Sequence, residues 1–135
     1  MQIDKLSRTP IYEQIISGIE REILTGVLKP NSPVASVRAL AVRFSVNPNT
    51  LHKAYTELER RGLCYSVPGS GRFISPDALQ CLQQSRRKLL DDVTALSREL
   101  RLTGFDRSTV LEAVNKAFDE NLTVTNPNEG ENNND

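Results

Sequence analysis

The chain has 135 residues, 38% of them hydrophobic and 25% charged, which makes one ordinary soluble globular domain with a short extension. No stretch is long and apolar enough to span a membrane, and the opening MQIDKLSRTPIYEQ lacks the apolar core of a secretion signal. The two cysteines, Cys64 and Cys81, make no disulfide framework, so a reducing cytoplasm is the expected compartment.

Net charge is zero, but the charge is unevenly placed. Residues 1–75 carry ten Lys or Arg against six acids (+4), and the remaining sixty carry seven against eleven (−4). A basic first half suits a polyanionic partner, and an acidic second half stays away from it.

Taken in chain order, the first element is a helix opened by Pro10, with Ile11, Ile15, Ile16, Ile19, Ile23 and Leu24 on one face and Gly26 as its stop. Residues 27–35, with Pro30 and Pro33, read as an extended connector. Ser36 then caps a short helix from Val37 to Phe44, whose Leu40, Ala41 and Phe44 share an apolar stripe. A sharp turn at Ser45-Val46 follows. Asn47 is a favoured cap and Pro48 suits a first helical position, where its missing amide proton costs nothing, so a second helix starts there and ends at Gly62. Leu51, Ala54, Tyr55 and Leu58 face inward at helical spacing, leaving Asn49, His52, Lys53, Thr56 and Arg60 outward.

Leu63, Tyr65 and Val67 alternate with Cys64 and Ser66, Pro68-Gly69-Ser70-Gly71 supplies the turn, and Arg72-Phe73-Ile74 returns, which predicts a hairpin offering Arg72 at its tip. Helix, tight turn, helix and glycine-tipped hairpin in that order read as a winged helix-turn-helix over residues 1–75, a mainly α fold with a small β wing, shaped to enter a DNA major groove.

Beyond it, Leu79, Leu82, Leu89, Val93, Leu96 and Leu100 fall at spacings of three and four, interrupted where Arg86 takes an apolar slot. Such a seam calls for a partner helix, and dimerisation through Leu82, Arg86, Leu89, Val93, Leu96 and Leu100 is expected. Thr103-Gly104 turns the corner into a second helix. Asp106 caps it, Phe105 and Val110 form its staple, and Val110, Leu111, Val114, Ala117 and Phe118 share its apolar face. The extension thus spans residues 76–121. The polar, Asn-rich and acidic remainder, 122–135, is expected to be disordered.

Several segments together resemble the amino-terminal domain of GntR-type bacterial transcriptional regulators. They are Gly26-Val27-Leu28-Lys29-Pro30, Ser36 to Ala41, Val46 to Thr50 and Tyr65 to Phe73. The resemblance runs from about Arg8 to Ile74, and the short helical extension is similar to the YtrA-type branch, whose members are dimeric regulators often associated with transporter operons. It implies that Ser36 and Arg38 approach the DNA backbone or groove edge. Asn47, Asn49, Thr50 and His52 would lie near bases and phosphates, and Gly71 with Arg72 would mark the wing contact. The chemistry agrees, since Asn can pair with adenine, Thr with a phosphate or thymine methyl, and Arg with guanine or phosphate. Lys53 and Arg60 fit phosphate contacts, and Arg61 fits a solvated surface.

The chain departs from that pattern at Val34-Ala35-Ser36, at Asn31 and at Pro48, where some relatives carry an arginine base reader, so Asn49 or His52 is the expected reader instead.

The implied function is a sequence-specific transcriptional regulator, a repressor in its simplest form, binding a near-palindromic operator as a homodimer. The competing reading is a module that organises DNA without sequence preference or docks a protein. No nucleophile with a base, carboxylate pair or phosphate loop supports an enzyme. One histidine with two scattered cysteines makes no metal site, and no cofactor is expected. An effector, whether a small ligand between the extension's helices or a metal, is left open by the sequence.

Overall fold

The computed structural model describes residues 1–121 and divides the chain into two compact units, Met1–Gln83 and the residues from Gln84 onward. The tail from residue 122, expected to be disordered, lies outside the described residues. No helix among the described residues is long and apolar enough to cross a membrane.

The first unit begins with a segment that the sequence left unread. The backbone amide of Asp4 donates to Gln14 Oε1 at 2.8 Å while Gln14 Nε2 donates back to the Asp4 carbonyl at 2.9 Å, fastening the segment to α1 (Ile11–Leu24). Lys5 Nζ reaches further and donates to the Ser45 carbonyl at 3.0 Å. In α1, Ile15, Ile16, Ile19 and Ile23 are buried, and this stripe packs on α3 (Pro48–Arg60). Between them in sequence lies α2 (Val37–Phe44), also packed on α3 and closed by Ser45 in the left-handed conformation (φ 52°).

Burial in α3 follows the expected period: Leu51, Ala54 and Tyr55 are fully buried and Leu58 nearly so. Burying each large apolar side chain is worth roughly 1.5–3 kcal/mol, so this stripe, shared by two partner helices, holds the unit together.

The hairpin pairs β1 (Cys64–Val67) with β2 (Gly71–Ile74) in antiparallel register, Cys64 opposite Ile74 and Val67 opposite Gly71. Pro68 and Gly69 (φ +79°) occupy the centre of a turn closed by the Ser70 amide on the Val67 carbonyl at 2.9 Å; proline followed by a residue of positive φ is the type II arrangement. The inward face differs from the expected alternation. Cys64 and Ile74, a cross-strand pair, face the core, while Tyr65 and Phe73 stack on the other face at 5.7 Å between centroids and Val67 stands out at the tip. A two-stranded ribbon touches the core only at its base, so burial falls on the residues nearest α3 rather than on every second one.

The connector joins this sheet. The Val34 amide donates to the Arg72 carbonyl at 2.9 Å, the Ile74 amide donates to the Ser32 carbonyl at 2.9 Å, and Pro33 bridges Phe73.

The expected single seam of the extension is two helices, α4 (Ala78–Arg86) and α5 (Leu89–Leu102), separated by a tight turn at Arg87-Lys88. The first unit also runs past residue 75. Ala78 and Leu82 are both 1% exposed in its core, so Leu82, expected at the seam, packs into the fold of its own chain. In the second unit α6 (Arg107–Asp119) follows α5, with Asp106 as its cap: Oδ1 accepts from the Thr109 amide at 3.0 Å. Neither α5 nor α6 buries a residue fully.

Replacing Leu82 by Ala should therefore lower the unfolding free energy by about 2–5 kcal/mol, the usual cost of truncating a core leucine. Urea denaturation followed by circular dichroism measures it, and an effect on oligomeric state alone would return Leu82 to the seam.

Candidate nucleic-acid interface

Two helix starts organise the polar surface of the first unit. At the α2 start, Ser36 Oγ accepts from the Ala39 amide at 3.0 Å, which leaves Arg38 exposed in the first turn. At the α3 start, Asn47 Oδ1 accepts from the Asn49 amide at 2.9 Å, and the Asn47 carbonyl accepts from the Thr50 amide at 3.0 Å and the Leu51 amide at 3.4 Å. Pro48 occupies the first helical position. Both caps were legible in the sequence, and both hold their helices in the expected places.

From the α3 start, Asn49 and His52 project outward, and Thr50 is half-buried beside them. The side chains of Arg38, Asn49 and His52 make no hydrogen bond or ion pair among the described residues. They are available to an incoming acceptor or donor.

The cations further along are engaged. Lys53 Nζ sits 3.8 Å from the centre of the Tyr12 ring, a cation–π contact that turns it toward α1. Arg60 grips Glu57 through two nitrogens, Nε to Oε2 at 2.8 Å and Nη2 to Oε1 at 2.5 Å. Arg61, expected as surface solvation, instead ties α3 to α1: Nε donates to Glu57 at 2.9 Å and Nη1 to Glu20 at 3.3 Å. The Glu57–Arg61 spacing of four was a readable signal for part of this. The link to Glu20 needs tertiary structure. Hydrogen bonds from Arg60 and then Arg61 hold the Glu57 carboxyl down to about 2.

At the wing, Gly71 (φ +102°) is exposed beside the hairpin turn. Arg72 does not stand out at the tip. Its side chain is 25% exposed, with Nε donating to Glu59 Oε1 at 3.0 Å and the guanidinium carbon 5.1 Å from the Tyr55 ring centre. Glu59 also accepts from the Ser66 hydroxyl. Glu59 is a residue that sequence reasoning missed, because its two partners lie on another element.

Cys64 adds no reactive centre to this surface: it is buried, and desolvation first, then the Glu59 charge, pushes its thiol up to about 11.

A capped helix-turn-helix with an outward polar face and an adjoining hairpin defines a winged-helix DNA-binding protein. A family model described as bacterial regulatory proteins, gntR family, matches residues 11–74, and the HTH-type transcriptional repressor YtrA of Bacillus subtilis (strain 168) is 42% identical over 92 residues, covering 68% of this chain and 71% of the relative. The chain belongs to the GntR family and is a DNA-binding transcriptional regulator rather than an enzyme. A GntR family transcriptional regulator from Listeria monocytogenes matches with TM-score 0.66 at 31% identity, covering 84% of this chain and 98% of the other. AraR(DBD) in complex with operator ORX1 matches with TM-score 0.50 at 31% identity, covering 56% of this chain and 93% of the other.

Because the Glu57 carboxyl titrates below its ordinary value of 4.5, its ion pairs contribute stability above that pH and lose it as the pH falls toward 2. Glu57→Gln should be less stable than the parent at neutral pH, with the gap closing between pH 4.5 and 2 in urea titrations. A gap independent of pH would mean that the arginines do not recognise the charge.

Proposed function

We propose that the protein is a repressor that acts in the cytoplasm, binding a near-palindromic operator as a homodimer with one α3 helix in each of two successive major grooves. The observation that carries this reading is the unengaged polar face at the start of α3, Asn49 and His52, set beside Arg38. Asn49 and His52 read base edges. Ser36, Arg38, Asn47 and Thr50 contact the backbone or groove edge, Lys53 reaches a phosphate by leaving Tyr12, and Gly71 lets the wing approach the duplex. The name of the Bacillus relative, a repressor, and the operator complex of AraR(DBD) support the same assignment.

The dimer draws its support from the second unit. Leu89, Val93 and Leu96 are 49%, 51% and 64% exposed on α5, and Leu111 and Phe118 stand out on α6. Apolar side chains left this open call for a second copy. Leu100 is half-buried and completes the stripe on α5. With Leu82 in the core and a turn after Arg86, the seam begins at Leu89.

Selection of bound sequences from random duplex DNA tests the regulator reading. A two-fold symmetric site should enrich, and Asn49→Ala and Arg38→Ala should each weaken its binding by about 1–3 kcal/mol. Binding that enriches nothing and simply fades with salt would point to non-specific packing on DNA. For the dimer, Leu96→Glu should shift sedimentation from dimer to monomer at micromolar concentration. An unchanged dimer would place the interface elsewhere.

A further inference from the structure

We propose that Glu59 and Arg72 form a positioning pair that locks the wing to the recognition helix, and that Arg72 is not itself a phosphate contact. The inference rests on the DNA-binding reading and assigns a different task within it to a residue at the wing.

Glu59 stands near the end of α3, one turn beyond Tyr55, and both its partners are on the hairpin. Ser66 on β1 donates its hydroxyl and Arg72 on β2 donates Nε, both to Glu59 Oε1. Ser66 and Arg72 are cross-strand partners in the hairpin register. One carboxylate oxygen therefore holds both strands at the same rung.

The guanidinium is also bounded by the Tyr55 ring, with 5.1 Å from its carbon to the ring centre, so it lies between the carboxylate and an aromatic surface of the same helix. Charge-assisted hydrogen bonds in a partly desolvated setting are stronger and more directional than those of a free surface arginine. With three quarters of the side chain covered, reaching a phosphate would cost Arg72 both contacts at once.

The geometry fixes what the pair controls. The rung Ser66–Arg72 lies one residue from Val67 and Gly71, the last rung before the hairpin turn. The distance from the α3 reading face to the wing tip is therefore set at Glu59. A loose hairpin would still carry its backbone amides, but it would no longer present them in register with the helix. Specific binding depends on that register, and non-specific attraction does not.

The test uses the full-length chain, the enriched site from the DNA selection and a random duplex, each titrated at several salt concentrations. Glu59→Ala and Arg72→Ala should each weaken binding to the selected site by about tenfold, the effect of one charge-assisted hydrogen bond. Random-duplex binding and the salt slope should stay unchanged, and the double variant should be no weaker than either single one. Glu59→Gln keeps an oxygen acceptor and should retain most of the specific affinity.

Two outcomes overturn the proposal. If Arg72→Ala reduces the salt slope by about 0.9 per protomer while Glu59→Ala tightens binding, Arg72 is a phosphate contact and Glu59 its competitor. If neither variant alters binding, the pair does not position the wing. Should the alanine variants unfold early, the exchanged pair Glu59→Arg with Arg72→Glu decides instead: a positioning pair recovers the selected site, whereas a phosphate contact loses it. Failure of any sequence to enrich would refute groove reading itself, separately from this pair.

Discussion

The burial of Tyr55 connects the parts of the DNA-binding unit. Its side chain is fully covered, its hydroxyl donates to the Ala35 carbonyl at 2.5 Å, and its ring backs the Arg72 guanidinium. One residue of α3 thereby fixes the end of the connector, next to the cap that starts α2, and the return strand of the wing. Burial pushes the hydroxyl well above its ordinary titration range, which keeps it a neutral donor at neutral pH. The α2 start, α3 and the wing are thereby referred to a single buried side chain.

Much of this unit could be read from residue types. Ser36 and Asn47 announce their helices because short side-chain acceptors satisfy first-turn amides, and Pro48 marks a helix start because only there is a missing amide free of cost. Pro68-Gly69 announces the turn for a comparable reason of backbone geometry. What residue types do not announce are the contacts between elements. Nothing local says that Arg72 turns back onto Glu59, or that Lys53 rests on Tyr12. The break after Arg86 was hidden because the leucine spacing runs on across it, with no proline or glycine to mark the interruption. Leu82 looked like a seam residue because periodicity reports which face is apolar and not what covers it.

The two units solve the problem of apolar surface differently. In the first, sixteen hydrophobic residues from the helices, the hairpin and the turns between them close into a core. In the second, two helices of fourteen and thirteen residues leave leucines, valines and Phe118 open to solvent. A pair of amphipathic helices has too little surface facing inward to cover both stripes. The proposed pairing of two chains would supply the missing layer, and would make the spacing between two reading heads a property of the extension.

The start of α3 has one more consequence. Helix N-termini often hold phosphates through unspent backbone amides, but here Pro48 has no amide proton and Asn47 takes the next three through its side chain and carbonyl. The tip of α3 therefore has no spare main-chain amide to offer a phosphate, and contacts there are left to side chains, of which Asn49 and His52 carry no hydrogen bond of the fold. On the proposed reading, exchanges at positions 49 and 52 would re-aim the protein at a new operator without removing a side-chain hydrogen bond from the helix that carries them. The same scaffold would thus acquire divergent, mutually non-interfering specificities in few steps.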